Sequence, residues 1–282
     1  MKRLAISRWT SAAAVAFLLV SGHAHAAPGD LYVASDRRIY KFNPAGKKNT
    51  FATDIYQPVA LAFDRVGNLF IANSGAGTDP RSANVLKFSR DGKRSVFATI
   101  PSDGVYGMAF DGHGNLFVSA GFGIVKITPS GTQSTFAEIR AVWPLAFDRV
   151  GNLYAGVNPT GASSILKFAP DGSSSTFVTF FNSSIIALAF APDGDLFATI
   201  GNSIMRVKPD GSSTTFVTGT RFESNSLAFD DSGSLFAGTD AYLEGDAAIL
   251  KFPPDGSAPR SPPALCCRTA SPLSQSQKSF AT

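Results

Sequence analysis

The sequence predicts an all-β fold, a six-bladed β-propeller of four-stranded antiparallel blades. Three observations carry that expectation: a six-fold repeat, its turn signals, and the placement of phenylalanine. A Gly-polar-Leu-aromatic step occurs at Gly29-Asp30-Leu31-Tyr32, Gly67-Asn68-Leu69-Phe70 and Gly114-Asn115-Leu116-Phe117. It returns at Gly151-Asn152-Leu153-Tyr154, Gly194-Asp195-Leu196-Phe197 and Gly233-Ser234-Leu235-Phe236. The glycines lie 38, 47, 37, 43 and 39 residues apart, the period of a propeller blade. A helical repeat of that length needs apolar residues at 3.6 spacing over ten or more positions. No segment beyond the N-terminal leader offers it.

Each unit reads in the same order: an Ala-Phe strand, the Gly-x-Leu-Phe strand, a Lys-Phe strand and a Thr-Phe strand. The second unit shows all four, at Ala60-Leu61-Ala62-Phe63, Leu69-Phe70-Ile71-Ala72, Val85-Leu86-Lys87-Phe88 and Ser95-Val96-Phe97-Ala98. Dipeptides such as Asp91-Gly92, Asp171-Gly172 and Asp210-Gly211 supply the positive-φ positions of tight hairpins. Of 24 phenylalanines, 19 fall on these repeat positions. A buried ring contributes about 2 kcal/mol, so the phenylalanines read as inter-blade core. Lys41, Lys87, Lys126, Lys167, Lys208 and Lys251 recur once per unit and read as charges protecting third strands near the rim.

Residues 1–26 have the three parts of a secretory signal. Lys2, Arg3 and Arg8 form a positive start, Ala12 to Val20 a short apolar run, and Ala24-His25-Ala26 a small-x-small cleavage site. The formal charge is +4; without those three cations it is +1, which disfavours a nucleic-acid partner. The apolar run is too short for the roughly 20 residues a bilayer demands. The expected product is therefore a periplasmic or extracellular monomer that does not insert in a membrane. The propeller is expected over 27–256, a low-complexity Pro/Ser-rich insert over 257–275, and an outer strand of the last blade over 276–282. No Ala-Phe strand precedes Leu31, so blade one is expected to keep three strands, leaving the ring seam incomplete there. Cys266 and Cys267 are neighbours, and a bridge between them is strained. An exported chain of this size does not depend on it.

The run Leu61-Ala62-Phe63-Asp64, Gly67-Asn68-Leu69-Phe70, followed later by Ile165-Leu166-Lys167-Phe168 and Asp171-Gly172, resembles NHL repeats. It is also similar to the senescence marker protein/gluconolactonase-like propellers. The resemblance covers residues 29–256 and implies the fold. Toward function it implies a divalent cation, calcium-like, held by Glu, Asn and Asp oxygens in the central channel of a lactonase. That family's glutamate lies near the first blade in a Glu-Gly-Pro-like context. Here the glutamates are Glu138, Glu223 and Glu244, and the Asn-Gly signature is absent.

The remaining chemistry is sparse. His113 is the one histidine beyond the leader, and it lies in a first-to-second-strand turn. Propellers that resemble virginiamycin lyase, paraoxonase or quinoprotein dehydrogenases rely on histidine and are disfavoured. The Asp64 to Asn68 and Asp148 to Asn152 turns carry too few carboxylates for calcium loops and read as hairpin turns. The loops following second and fourth strands hold Asp36, Asn73, Trp143, Asn158, Glu223 and Asp240, with Arg140, a polar funnel with one aromatic. Two second-to-third-strand loops are long, and would gather Asp79, Arg81, Tyr242 and Glu244, with Asp246, around Asp36. The reading is an exported scaffold binding a small molecule, a carbohydrate or a protein, with no catalytic residue and no cofactor. A calcium-dependent lactonase is the alternative.

Overall fold

In this computed structural model the described residues are 16–19, 30–35, 37–73, 82–102, 104–218, 227–239 and 248–255. They form six antiparallel sheets that follow one another along the chain. Blade one holds β1 (Ala16–Leu19), β2 (Leu31–Ser35), β3 (Arg38–Phe42) and β4 (Lys48–Ala52). Blade two holds β5 (Pro58–Phe63), β6 (Leu69–Asn73), β7 (Ala83–Phe88) and β8 (Arg94–Ile100). Blade three holds β9 (Val105–Phe110), β10 (Leu116–Ala120), β11 (Gly123–Ile127) and β12 (Gln133–Ala137). Blade four holds β13 (Val142–Phe147), β14 (Leu153–Val157), β15 (Ala162–Phe168) and β16 (Ser174–Phe181). Blade five holds β17 (Ile185–Phe190), β18 (Leu196–Ile200), β19 (Ser203–Val207) and β20 (Ser213–Thr218). Blade six holds β21 (Leu227–Phe229), β22 (Leu235–Thr239) and β23 (Ala248–Phe252).

Burial follows position in the blade. Second strands β6, β10, β14 and β18 are buried at every residue, because neighbouring blades cover both faces. Fourth strands β4, β12 and β20 open with three exposed residues before a half-buried phenylalanine. The blades are joined by a repeated aromatic wedge. Tyr32 meets Phe51 and Phe63, Phe70 meets Phe97 and Phe110, and Phe117 meets Phe136 and Phe147. Tyr154 meets Phe177 and Phe190, and Phe197 meets Phe216 and Phe229. Every pair is edge-to-face, the geometry the ring quadrupole favours. In each wedge one partner comes from the fourth strand of the same blade and the other from the first strand of the next.

A cation caps each second-strand ring. Lys41, Lys87, Lys126 and Lys167 sit 5.4–5.7 Å from the centroids of Tyr32, Phe70, Phe117 and Tyr154, and Lys251 sits 5.0 Å from Phe236. In blade five the cation is Arg206 over Phe197. Lys208, expected there from spacing, lies beyond β19 in the following turn. Register decides the matter, since Phe197 faces Arg206 across the sheet as Phe70 faces Lys87.

The Asp-x-x-Gly-Asn turns close on themselves. Asp64 Oδ1 accepts from the backbone N–H groups of Val66 and Asn68, and Asn68 Nδ2 donates to Asp64 Oδ2 at 2.6 Å. Asp148 and Asn152 repeat the arrangement. Gly67 and Gly151 take φ of 86° and 93°, which excludes most side chains. These carboxylates are spent on turn geometry, as expected.

The seam differs from the sequence expectation. Blade one has four strands, because Ala16–Leu19 pairs with β2 in the first-strand slot. Its register, Phe17↔Val33 and Leu19↔Leu31, repeats Leu61↔Ile71 and Phe63↔Leu69 of blade two. The slot takes four apolar residues, and the N-terminal apolar run supplies them. β1 lies between β5 and β21 and so closes the ring of first strands. Blade six shows three strands among the described residues; 257–275 and the outer strand expected over 276–282 lie outside them.

Candidate functional site at the channel mouth

The loops from second to third strands, and from each fourth strand to the next first strand, share one face of the ring. First strands begin on that face, and four of them begin with the same irregularity. Val59, Tyr106 and Ile186 are each an extra residue in the register with the second strand; in blade four the extra residue falls at Trp143-Pro144. Such a bulge re-aims one side chain. Here it turns Val59, Tyr106 and Ile186 into the wall of a central channel of about 350 Å³. Trp143 stacks on Tyr106 with ring centroids 6.4 Å apart and planes 27° from parallel. Tyr106 is 47% exposed and Trp143 37%, so both rings face solvent.

The backbone holds Trp143 in place. Ser119 Oγ donates to the Trp143 carbonyl at 2.6 Å. A Cβ on Gly107 would collide with that same carbonyl oxygen, and one on Gly156 would lie 2.7 Å from Pro144 Cγ. The residue before the strand, Ala141, takes φ 60°, a left-handed conformation costly for a side-chain-bearing residue. Its carbonyl accepts from the Asn158 N–H at 2.9 Å.

Of the ten residues expected to contact ligand, three are described. Trp143 is at the mouth. Asn158 spends its side chain on the scaffold: Nδ2 donates to the Ile185 carbonyl at 2.9 Å and Oδ1 accepts from the Ile185 N–H at 2.7 Å. It clamps blade four to the first strand of blade five. Asn73, 1% exposed, ends β6, and its Oδ1 is the one buried side-chain polar atom among the described residues without a hydrogen-bond partner. Asp36, Asp79, Arg81, Glu223, Asp240, Tyr242 and Glu244 lie outside the described residues. Sequence reading passed over Val59, Tyr106 and Ile186. The signal was available: each stands four residues before the Phe of an Ala-Phe strand, the position that changes character from blade to blade while its neighbours repeat.

Below the mouth the channel is apolar. Leu61, Met108, Leu145, Leu188 and Leu227 line it, and the Tyr106 hydroxyl is the only oxygen-bearing side chain among its described lining residues. Among the described residues no three His, Cys, Asp or Glu side chains converge on a point that would hold a metal ion. This wall does not fit the divalent cation implied by the gluconolactonase resemblance, and no chemistry is derived through one. His113 lies on the opposite face with its side chain 89% exposed. That face also bears a cleft of about 310 Å³ between blades four and five. There burial pushes the Tyr154 hydroxyl above its ordinary pKa, opposed by Lys167.

No family model and no curated protein sequence matches the chain. Solved structures do. A gluconolactonase from Xanthomonas campestris aligns with a TM-score of 0.67 at 16% identity, covering 80% of this chain and 83% of that one. The virginiamycin B lyase of Staphylococcus aureus aligns with a TM-score of 0.59 at 16% identity, covering 85% and 84%. The extracellular domain of a protein from B. thetaiotaomicron assigned as a one-component system aligns with a TM-score of 0.54 at 14% identity, covering 86% and 40%. The chain is a six-bladed β-propeller with the fold of the gluconolactonases and virginiamycin B lyases. At these identities the likeness is one of fold.

Proposed function

We propose that this propeller is an exported, non-catalytic scaffold that binds a small molecule or carbohydrate across the mouth of its channel. The observation that carries the reading is the bulged position. Three blades use one backbone irregularity to aim three different side chains at the same opening, and a fourth uses it to stack Trp143 on one of them, while the flanking Leu-Ala-Phe positions hardly vary. A rigid repeat varied at one convergent position is how a scaffold presents a binding surface. Two exposed, stacked rings suit the flat apolar face of a sugar or lactone ring. The leader supports export. In addition, no helix among the described residues is long and apolar enough to cross a membrane.

Trp143 is the only tryptophan beyond the leader, so its fluorescence reports on the mouth. The test is titration of the protein with sugars, lactones and short peptides, followed by emission and calorimetry. Trp143→Ala and Tyr106→Ala are each expected to weaken binding about tenfold, roughly 1.4 kcal/mol. Calcium-dependent turnover of a lactone, abolished by a chelator, would overturn the reading in favour of the hydrolase.

A further inference from the structure

Five of the six second-strand rings are wedged between two others, and those five are only 2–5% exposed. Phe236 holds the same position in blade six. It is partly buried and meets no second ring among the described residues. Both of its expected neighbours belong to the seam. The first-strand position in blade one is Leu19 by register, which brings no ring. The fourth-strand position does not exist among the described residues, because blade six ends at β23 while each other blade adds one strand more.

We propose that residues 277–282 dock on the outer edge of β23 as the fourth strand of blade six, with Phe280 entering beside Phe236. The order Gln277-Lys278-Ser279-Phe280-Ala281-Thr282 repeats Arg94-Ser95-Val96-Phe97-Ala98-Thr99 of β8. Its residue order, three polar residues, a ring and a small residue, suits the fourth-strand pattern of three exposed positions followed by a half-buried ring. The alternative slot, the first strand of blade one, is ruled out by chemistry. That slot buries its central residues, as Ala60, Leu61 and Ala62 show in blade two, and a lysine at those positions would be a buried charge without a partner. On β23 the β8 register, Phe88↔Arg94 and Lys87↔Ser95, puts Gln277 opposite Phe252 and Lys278 opposite Lys251. Two lysines face each other, a small cost, and Lys251 is tied to Asp230 at 3.3 Å. The 21 residues from 256 to 276 reach easily, and a loop of that length costs little more than a short one.

The test uses the full chain with Cys266 and Cys267 changed to Ser. Lys251→Cys with Lys278→Cys should cross-link within one chain on mild oxidation, read as a single linked peptide by mass spectrometry. Separately, Phe280→Ala should lower the thermal midpoint by roughly 4–8 °C, and Phe280→Leu by less. A folded protein that gives no 251–278 link, or links only between chains, overturns the proposal. So does a Phe280→Ala variant with an unchanged midpoint.

Discussion

Asn73 ends β6 and Asn158 directly follows β14, the equivalent strand of blade four, yet they differ in what holds them. Asn158 makes two hydrogen bonds to one backbone residue of the next blade, so Asn158→Ala strands a donor and an acceptor. The expected loss is about 1–3 kcal/mol, read as a lower denaturant midpoint with unchanged slope. Asn73 Oδ1 makes none, and Asn73→Leu is expected to leave the midpoint equal or higher. Two partly buried turn aspartates contribute to the acid limit. Burial alone would raise the carboxyl of Asp111, but hydrogen bonds from Asn115 and His113 hold it below its ordinary value. Asp230 is likewise buried yet lowered, through Ser232, Ser234 and Lys251. A depressed folded pKa adds stability above the unfolded value and loses it as pH falls through the folded one. Thermal midpoints should therefore hold level from pH 7 to about 5 and fall below about pH 4. Asn115→Ala should make that fall shallower.

The first strand of each blade is where scaffold and site meet. Its Leu-Ala-Phe end packs into the wedge, and its bulged start faces the mouth. In blade four the bulge depends on a close approach of β9 to β13, which Gly107 permits and the Ser119 hydroxyl secures. Gly107→Ala has no room for its methyl and must push the Trp143 carbonyl away. The expected result is a loss of about 1–3 kcal/mol together with a shift in Trp143 emission. Ala141→Gly relieves the left-handed residue at the head of β13 and is expected to be neutral or stabilising by up to ~1 kcal/mol. The two changes touch the same strand end in opposite senses, so their signs test whether the bulge is under strain.

A propeller is stable only as a closed ring, and closure here depends on the first-strand slot of blade one. In the full chain Ala16–Leu19 fills it. The same residues form the apolar core of the export signal we propose, so a chain that folds before export hides its own signal. Expressed in an exporting bacterium, the protein should be recovered beginning at Ala27, as read by intact mass. Removal of residues 1–26 then bares the inner edge of β2. Amide exchange at Leu31–Ser35 should be faster in the shortened chain than in the full one, with a thermal midpoint lower by a few degrees. Recovery of an uncleaved exported protein would make β1 a permanent strand.

The fold could be read from the residues because it rests on local, repeated chemistry. A glycine at positive φ, a Leu-aromatic step and an Asp-Gly turn each specify one hairpin, and six copies leave one architecture that covers every apolar face. The inter-blade role of the phenylalanines was legible for the same reason. The site was legible only in part. Trp143 could be picked out as an exposed aromatic, but its partner Tyr106 looked like an ordinary strand residue, and Asn158 like a free polar side chain. A bulge is a relation between two strands, and a clamp a relation between two blades, so neither is written in a single segment. The seam shows the same division. The leader reads as a targeting signal from its charge and length, whereas its place beside β2 follows from a vacant apolar slot that exists only once five other blades have closed the ring around it.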